Sequence, residues 1–287
     1  MNSELRKISG VLGAAALAVG LSACGSPSEQ AAEEDSGGGD RTTLRVGATP
    51  VPHAEVLRFV KEELAADAGL NIEIVEFTDY NQPNAALAEG EIDANYFQTK
   101  PFLADYENGN PDADLTWVSD IHLEAFGLYS ESLEEVGDIE RGAEIAVPSD
   151  ASNMGRALNL LDAEGVITLA EGAGETAGEG DIEENPKDVE LVPVDAAQLP
   201  RSLADVDAAV VNGNFALEAG LAESANALAW EETEGSPYGN GLVVPAGQED
   251  DENIAKLDEL LHSEDVRAFM EEEWNGVVLP LEGGGES

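Results

Sequence analysis

Cys24, the only cysteine of this 287-residue chain, sets the first constraint on how the chain folds. With a single thiol the chain forms no intramolecular disulfide, so packing must supply its stability. A basic start, an apolar run and two small residues precede this cysteine (Arg6, Lys7, 8–19, Ser22, Ala23). The apolar run is shorter than the roughly 20 helical residues that span a bilayer. We therefore expect residues 1–23 to be a signal peptide.

The residues around Cys24 favour attachment of a lipid at this position. Leu21-Ser-Ala-Cys24 resembles the bacterial lipoprotein box, in which the cysteine is acylated, for example with palmitate, and becomes the new N-terminus. The alternative is an ordinary signal peptide with a chance cysteine. Residues 24–42 are rich in Ser, Glu, Ala and Gly without a hydrophobic pattern, which is typical of a flexible tether. We expect the folded body to be anchored by lipid at the outer face of a bacterial cytoplasmic membrane.

The charge of the chain narrows its range of partners. It carries 60 acidic residues against 13 basic ones, a formal net charge of -47. Such a surface repels nucleic acid and anionic lipid headgroups, so we expect no nucleic-acid partner. A high-salt or alkaline habitat explains this acidity more simply than an acidic functional face, and it makes each arginine noteworthy.

The hydrophobic pattern of the body predicts an α/β fold with a largely parallel sheet. Predicted strands alternate with helical patterns, and the clearest strands cover residues 43–48, 71–77, 92–97 and 145–150. Residues 203–208 weakly repeat the pattern of 87–94, which suggests two lobes of similar build. Ligands of open α/β sheets bind at the carboxyl ends of strands. The segments predicted at those ends are 49–53, 96–102, 149–156 and 212–215.

Nine stretches of the body resemble the NlpA/MetQ family of lipoproteins, the methionine-binding receptors of ATP-driven importers. They occur in order over nearly the whole body: 46–55, 77–84, 90–98, 122–130, 152–158, 185–187, 198–203, 211–216 and 236–240. The resemblance implies a two-lobed periplasmic-binding-protein-like fold of type II, with the ligand cleft between the lobes. Residues 43–128 plus 236–287 would form lobe 1, and residues 129–235 would form lobe 2.

The resemblance also implies a set of ligand-binding residues. Arg156 would bind the carboxylate of an amino acid, since guanidinium and carboxylate form a bidentate, charge-assisted pair. Amide side chains would bind its charged backbone atoms (Asn153, Asn212, Asn240), and aromatic side chains would surround its side chain (Tyr80, Phe97, Phe102). Without the resemblance, a surface arginine paired with an acid, turn or cap asparagines and core aromatics explain the same residues.

One departure from the family pattern affects the specificity of the pocket. Thr99 and Phe102 stand where the family commonly has histidine and tyrosine. The pocket would then contain fewer polar groups around the ligand's side chain. Methionine is the expected ligand, and the D-enantiomer, another apolar amino acid or a methionine-containing dipeptide are alternatives.

We therefore expect a lipid-anchored receptor of an ABC importer, with a permease and its ATPase as partners and with no cofactor. The chain has no Gly-x-Ser-x-Gly elbow and no Gly-rich phosphate loop, which argues against an enzyme. A metal-binding receptor and a surface adhesin are the alternatives from other classes. Against a metal, the histidines are widely spaced and form no sequence pair (His53, His122, His262).

Overall fold

A computed structural model describes residues 43–221, 226–274 and 276–282. The predicted signal peptide and the whole of the predicted tether, which begins at Cys24, lie outside the described residues. Among the residues described, no helix combines the length and the apolar character needed to cross a bilayer.

The first sheet is built by the two ends of the body. Its strands are β1 (Thr43–Ala48), β2 (Asn71–Glu76), β3 (Ala94–Thr99), β4 (Leu115–Glu124), β12 (Asn240–Pro245) and β13 (Val278–Pro280). Their spatial order is β13-β4-β12-β3-β1-β2. β1 pairs in parallel with β2 and β3, whereas β12 and β13 pair antiparallel with their neighbours.

The middle of the chain forms the second sheet, in the order β11-β5-β10-β6-β9. Its strands are β5 (Gly127–Ser130), β6 (Glu144–Pro148), β9 (Glu190–Val194), β10 (Ala208–Val211) and β11 (Asn226–Trp230). A two-stranded ribbon, β7 (Thr168–Leu169) with β8 (Ile182–Glu184), stands beside it. The prediction of a largely parallel sheet is wrong, because both sheets are mixed: the chain crosses between them and returns, which adds antiparallel strands to each.

Helices cover the two sheets. They are α1 (Glu55–Phe59), extended by turns at Pro50–Ala54 and Val60–Leu64, then α2 (Pro83–Ala88), α3 (Lys100–Gly109), α4 (Ala151–Ala163), α5 (Leu199–Ser202), α6 (Gly213–Glu218), α7 (Glu252–Leu261) and α8 (Glu264–Trp274). Each sheet has a hydrophobic core of its own, around Leu57 and Tyr96 in the first and around Ile145 and Leu158 in the second.

This is an α/β fold of the two-lobed binding-protein type. Two segments cross between the sheets: residues 125–126, which join β4 to β5, and residues 231–239, which join β11 to β12. The lobe boundaries given above stay a prediction.

The predicted strands match the observed ones closely, with one shift. The strand predicted at 92–97 is β3 at 94–99. Gly90 adopts a positive φ, and the carboxylate of Asp93 accepts a hydrogen bond from the backbone N of Arg45, 2.8 Å away. These contacts hold Ile92 and Asp93 in a bend, so pairing starts at Ala94.

His262 joins the end of α7 to the first sheet. Its Nδ1 lies 2.8 Å from the backbone O of Asp258, and its Nε2 lies 2.9 Å from the backbone O of Asp120. Both partners are acceptors, so only the doubly protonated imidazolium donates to both. The side-chain carboxylate of Asp258, whose Oδ1 lies 3.3 Å from the same Nδ1, is the main cause that raises the pKa of His262 to about 9.

We predict that His262→Gln costs stability in a pH-dependent way. Because the folded pKa lies above the ordinary value, the stabilisation is fully present below about pH 6.5 and is lost as the pH rises through about 9. Denaturant unfolding of both proteins at constant high salt, from pH 6 to pH 10, measures the difference. Arg58→Gln, which removes an exposed ion pair with Glu76, is the control and should give a flat difference. A cost that grows with pH would contradict the prediction.

Candidate functional site

A cavity lies between the two sheets. All eight residues predicted to bind ligand line it: Tyr80, Phe97, Thr99, Phe102, Asn153, Arg156, Asn212 and Asn240. Four further residues complete the lining and were missed by sequence reasoning: Gln98, Glu124, Gly213 and Asn214. The structure thus brings the predicted set together, and its role in binding stays a prediction.

The ends of secondary-structure elements deliver these side chains. Phe97 and Thr99 end β3, and Glu124 ends β4. On the second sheet, Arg156 lies in α4 directly after β6, and Asn212 follows β10. Polar residues therefore collect where strands stop and helices begin, as is common in α/β folds.

A chain of hydrogen bonds fixes the amide of Asn212. Asp150 caps α4, and its Oδ1 accepts from both the backbone N and the Nδ2 of Asn153, each at 2.9 Å. The Oδ1 of Asn153 in turn accepts from the Nδ2 of Asn212 at 2.9 Å. The Oδ1 of Asn212 is left buried without a hydrogen-bond partner among the described residues. Asn212 therefore brings an unused acceptor to the wall of the cavity.

Tyr80 fixes the amide of Asn214 so that, in contrast to Asn212, its oxygen is bonded and its nitrogen is left over. Its hydroxyl donates to the Oδ1 of Asn214 at 2.5 Å, and burial raises its pKa well above the usual value, so the hydroxyl keeps its proton. The Nδ2 of Asn214 is buried and, within the described part of the chain, has no partner. The Tyr80 ring also contacts three phenylalanines, with ring centroids 5.0–5.9 Å away (Phe97, Phe102, Phe215).

Gln98 belongs to a buried amide cluster. Its Nε2 donates to the Oδ1 of Asn84 at 2.6 Å and to that of Asn95 at 2.9 Å, and its Oε1 accepts from Asn84 at 2.8 Å. These bonds hold the Gln98 side chain in one orientation at the wall of the cavity.

Arg156 is held on most sides by protein groups. Its Nε donates to the Glu231 carboxylate at 2.9 Å, and its Nη2 donates to the same carboxylate and to the backbone O of Glu124 at 2.9 Å. The rings of Phe126 and Tyr238 lie 4.6 and 4.4 Å from its guanidinium carbon. The bidentate edge expected to meet a ligand thus meets Glu231. Nη1 has no hydrogen bond to any of the described residues.

The carboxylate of Glu124 is the second charge at the cavity. The Nε2 of His122 lies 2.7 Å from its Oε1, and the Nε2 of His53 lies 3.4 Å from the same oxygen. Burial raises the pKa of Glu124, while His53, Arg156 and the backbone N–H of Asn214 act to lower it. Burial also lowers the pKa of His53 to about 4 and that of His122 to about 3, so both rings are neutral at pH 7.

His53, His122 and Glu124 also form a possible metal-ligand set, because one donor atom of each lies within 4.8 Å of the others. His53 and His122 form no sequence pair, yet the fold brings their ring centroids to within 4.9 Å of each other. Each of their ring nitrogens already has a hydrogen-bond partner, because Thr49 and Tyr96 contact the two Nδ1 atoms. A metal would have to replace these bonds.

Comparison with known proteins gives consistent matches along the body. The family model described as NlpA lipoprotein matches residues 44–282. The methionine-binding lipoprotein MetQ of Bacillus subtilis is 36% identical over 240 residues, which cover 82% of this chain and 87% of that protein.

Two solved structures show the same similarity in three dimensions. A nutrient-binding protein from Burkholderia cenocepacia, bound to methionine, matches with a TM-score of 0.79 and 39% identity over 83% of this chain and 99% of its own. A periplasmic substrate-binding protein of an ABC transporter from Coxiella burnetii matches with a TM-score of 0.79 and 36% identity, covering 83% of this chain and all of that one.

We predict that Arg156→Ala lowers the free energy of unfolding by about 3–5 kcal/mol, because it leaves the nearly buried Glu231 carboxylate without its partner. Denaturant unfolding at constant high salt measures the loss. Arg141→Ala is the matched control: it breaks an ion pair with Asp188 whose side chains are 73% and 61% exposed, and it should cost less than about 1 kcal/mol. Equal costs for the two variants would contradict the prediction.

Proposed function

The chain belongs to the NlpA lipoprotein family, and we propose that it is a lipid-anchored solute receptor that captures methionine and delivers it to an ABC importer. The relatives support each part of this proposal: one is a methionine-binding lipoprotein, one was solved with methionine bound, and one is the substrate-binding protein of an ABC transporter.

The proposal is carried by side-chain donors and acceptors at the wall of one cavity that have no hydrogen-bond partner among the described residues. The buried Nδ2 of Asn214 can donate to a carboxylate, and the buried Oδ1 of Asn212 can accept from an ammonium. The Nη1 of Arg156 adds a donor, since the hydrogen bonds of this guanidinium to the described residues use Nε and Nη2. Leaving buried polar groups unpaired costs about 1–3 kcal/mol each, which a zwitterion returns by pairing them. Asn153 contributes by orienting Asn212. Asn240 is the remaining amide side chain that was predicted to bind the ligand.

The aromatic side of the cavity suits an apolar side chain. The rings of Tyr80, Phe97 and Phe102 contact one another, and thioether sulfur packs well against ring edges. The backbone N of Phe102 donates to the Oγ1 of Thr99 at 3.4 Å, so Thr99 is engaged in capping α3.

Capture needs no chemical step. The cavity draws its wall from both sheets, so a ligand that contacts both stabilises the closed arrangement of the lobes over an open one. The closed receptor would then dock on a separate permease, which acts with its ATPase. A lipid on Cys24 would hold the receptor at the outer face of the cytoplasmic membrane.

A metal-binding receptor is the second candidate, favoured by the donor set of His53, His122 and Glu124. The complete hydrogen bonding of both rings is the reason to rank it below an amino-acid receptor.

We predict that the soluble body, unfolded and refolded in high salt to remove any retained ligand, binds L-methionine in a calorimeter. Asn212→Ala should weaken binding roughly tenfold to a hundredfold, because it removes a neutral acceptor of a charged donor. Asn71→Ala is the control, since its exposed amide bonds only to Thr43, and it should leave the affinity unchanged.

Three other titrations make this test decisive. D-methionine, a methionine dipeptide and leucine measure stereoselectivity, ligand size and the need for sulfur. Failure of the folded protein to bind any of these, or methionine, would refute the amino-acid receptor. Binding of Zn²⁺ in place of all of them would favour the second candidate.

We further predict that Thr99→His combined with Phe102→Tyr, which introduces the residues common in the family, raises the preference for L-methionine over leucine about threefold to tenfold. The reason is the added polar and aromatic contact around the thioether. The ratio of the two dissociation constants measures this preference. Thr168→His, an exposed position in β7, is the control. An unchanged ratio in the double variant would exclude these positions as determinants of specificity.

A further inference from the structure

Resting on the proposed function, we propose that Glu124 is the ammonium subsite of the cavity and that His122 is a positioning residue that aims its carboxylate. The primary amine of the ligand then contributes more to the binding affinity than its carboxylate does.

The tautomers of the two histidines follow from their outer partners. The Oγ1 of Thr49 lies 2.7 Å from the Nδ1 of His53, and the hydroxyl of Tyr96 contacts the Nδ1 of His122. When each hydroxyl donates to Nδ1, the ring proton lies on Nε2. The Nε2 of His122 then donates to the Oε1 of Glu124 at 2.7 Å. The Nε2 of His53 donates to the Oδ1 of Asn240 at 3.0 Å and lies 3.4 Å from the same carboxylate oxygen. The neutral ring of His122 thus holds one oxygen of the carboxylate from the first sheet.

The second sheet holds the other side of the same carboxylate. The backbone N–H of Asn214 donates to it. A Cβ on Gly213 would lie 2.6 Å from the Cβ of Glu124 and 3.0 Å from its Oε2, so only glycine lets α6 approach this closely. Glu124, Gly213 and Asn214 all line the cavity. The carboxylate therefore lies at the cavity wall with donors from both sheets.

The balance of charge at the cavity favours a cation. Glu124 and Arg156 are the charged residues of its lining. Arg156 is already paired with Glu231, and that pair is neutral as a unit. Both histidines are neutral. Among the described residues, no guanidinium or ammonium group contacts the Glu124 carboxylate, and a ligand ammonium would supply that partner.

The test compares ligands in a calorimeter at pH 7 and constant high salt. L-methionine has both charges, L-methioninamide keeps the amine, and N-acetyl-L-methionine keeps the carboxylate. We expect N-acetyl-L-methionine to bind roughly tenfold to a hundredfold more weakly than L-methioninamide. Glu124→Gln should weaken L-methionine binding similarly.

The positioning role of His122 is tested by paired substitutions. His122→Gln keeps a donor near the carboxylate and should retain more affinity than His122→Leu, with thermal unfolding to verify that both fold. His262→Gln is the control, because that ring contacts Asp258 and Asp120 instead, and it should leave the affinity unchanged.

The outcomes separate this inference from the proposed function. If L-methionine binds but N-acetyl-L-methionine binds as well as the amide, or if Glu124→Gln keeps the affinity, the inference is overturned and the receptor stands. If wild-type protein binds Zn²⁺ and Glu124→Gln does not, the cluster is a metal site and the inference is also overturned. If folded wild-type protein binds no amino acid, the proposed function itself fails.

Discussion

The burial of the Glu124 carboxylate between the two sheets is the constraint on which the centre of this structure depends. An unpaired buried charge is very costly, so its oxygens need donors. They come from His122 on the same strand and from the backbone of Asn214 beside the other sheet. Because one group is held by elements of both sheets, its geometry ties the closed arrangement of the lobes to the shape of the cavity.

Sequence reasoning located the cavity well because its wall consists of strand ends. Thr99, Asn153 and Asn212 each lie where a strand gives way to a helix, and such positions can be found from hydrophobic pattern alone. The antiparallel strands of both sheets escaped prediction, since pattern identifies a strand without giving its direction. The proximity of His53 and His122 was not predicted for a related reason. It depends on the register of β4 against β12, which places His122 opposite Asn240, the hydrogen-bond partner of His53.

Arg156 shows where residue chemistry alone reaches its limit. From its type and position alone, a surface arginine paired with an acid was the simpler interpretation. The resemblance to the family implied a ligand-binding residue, and the structure buries the guanidinium at the cavity wall. Nothing in a chain with 60 acidic residues singled out Glu231 as its partner, because charge composition carries no information about contact. The partner changes the role of the arginine. With Nε and Nη2 engaged, Arg156 contributes Nη1 and a fixed platform between two rings, and the site relies more on the amides of Asn212 and Asn214.

The net charge of -47 affects ligand choice over longer distances than the groups that line the cavity do. At low salt such a charge repels anions and attracts cations well before contact, whereas a zwitterion of zero net charge is nearly indifferent to it. In concentrated salt the Debye length falls to about 3 Å at 1 M, so this long-range preference disappears. Discrimination by charge must then come from groups that touch the ligand. A single buried carboxylate, shielded from salt by the protein around it, keeps its preference for an ammonium where the acidic surface loses its own.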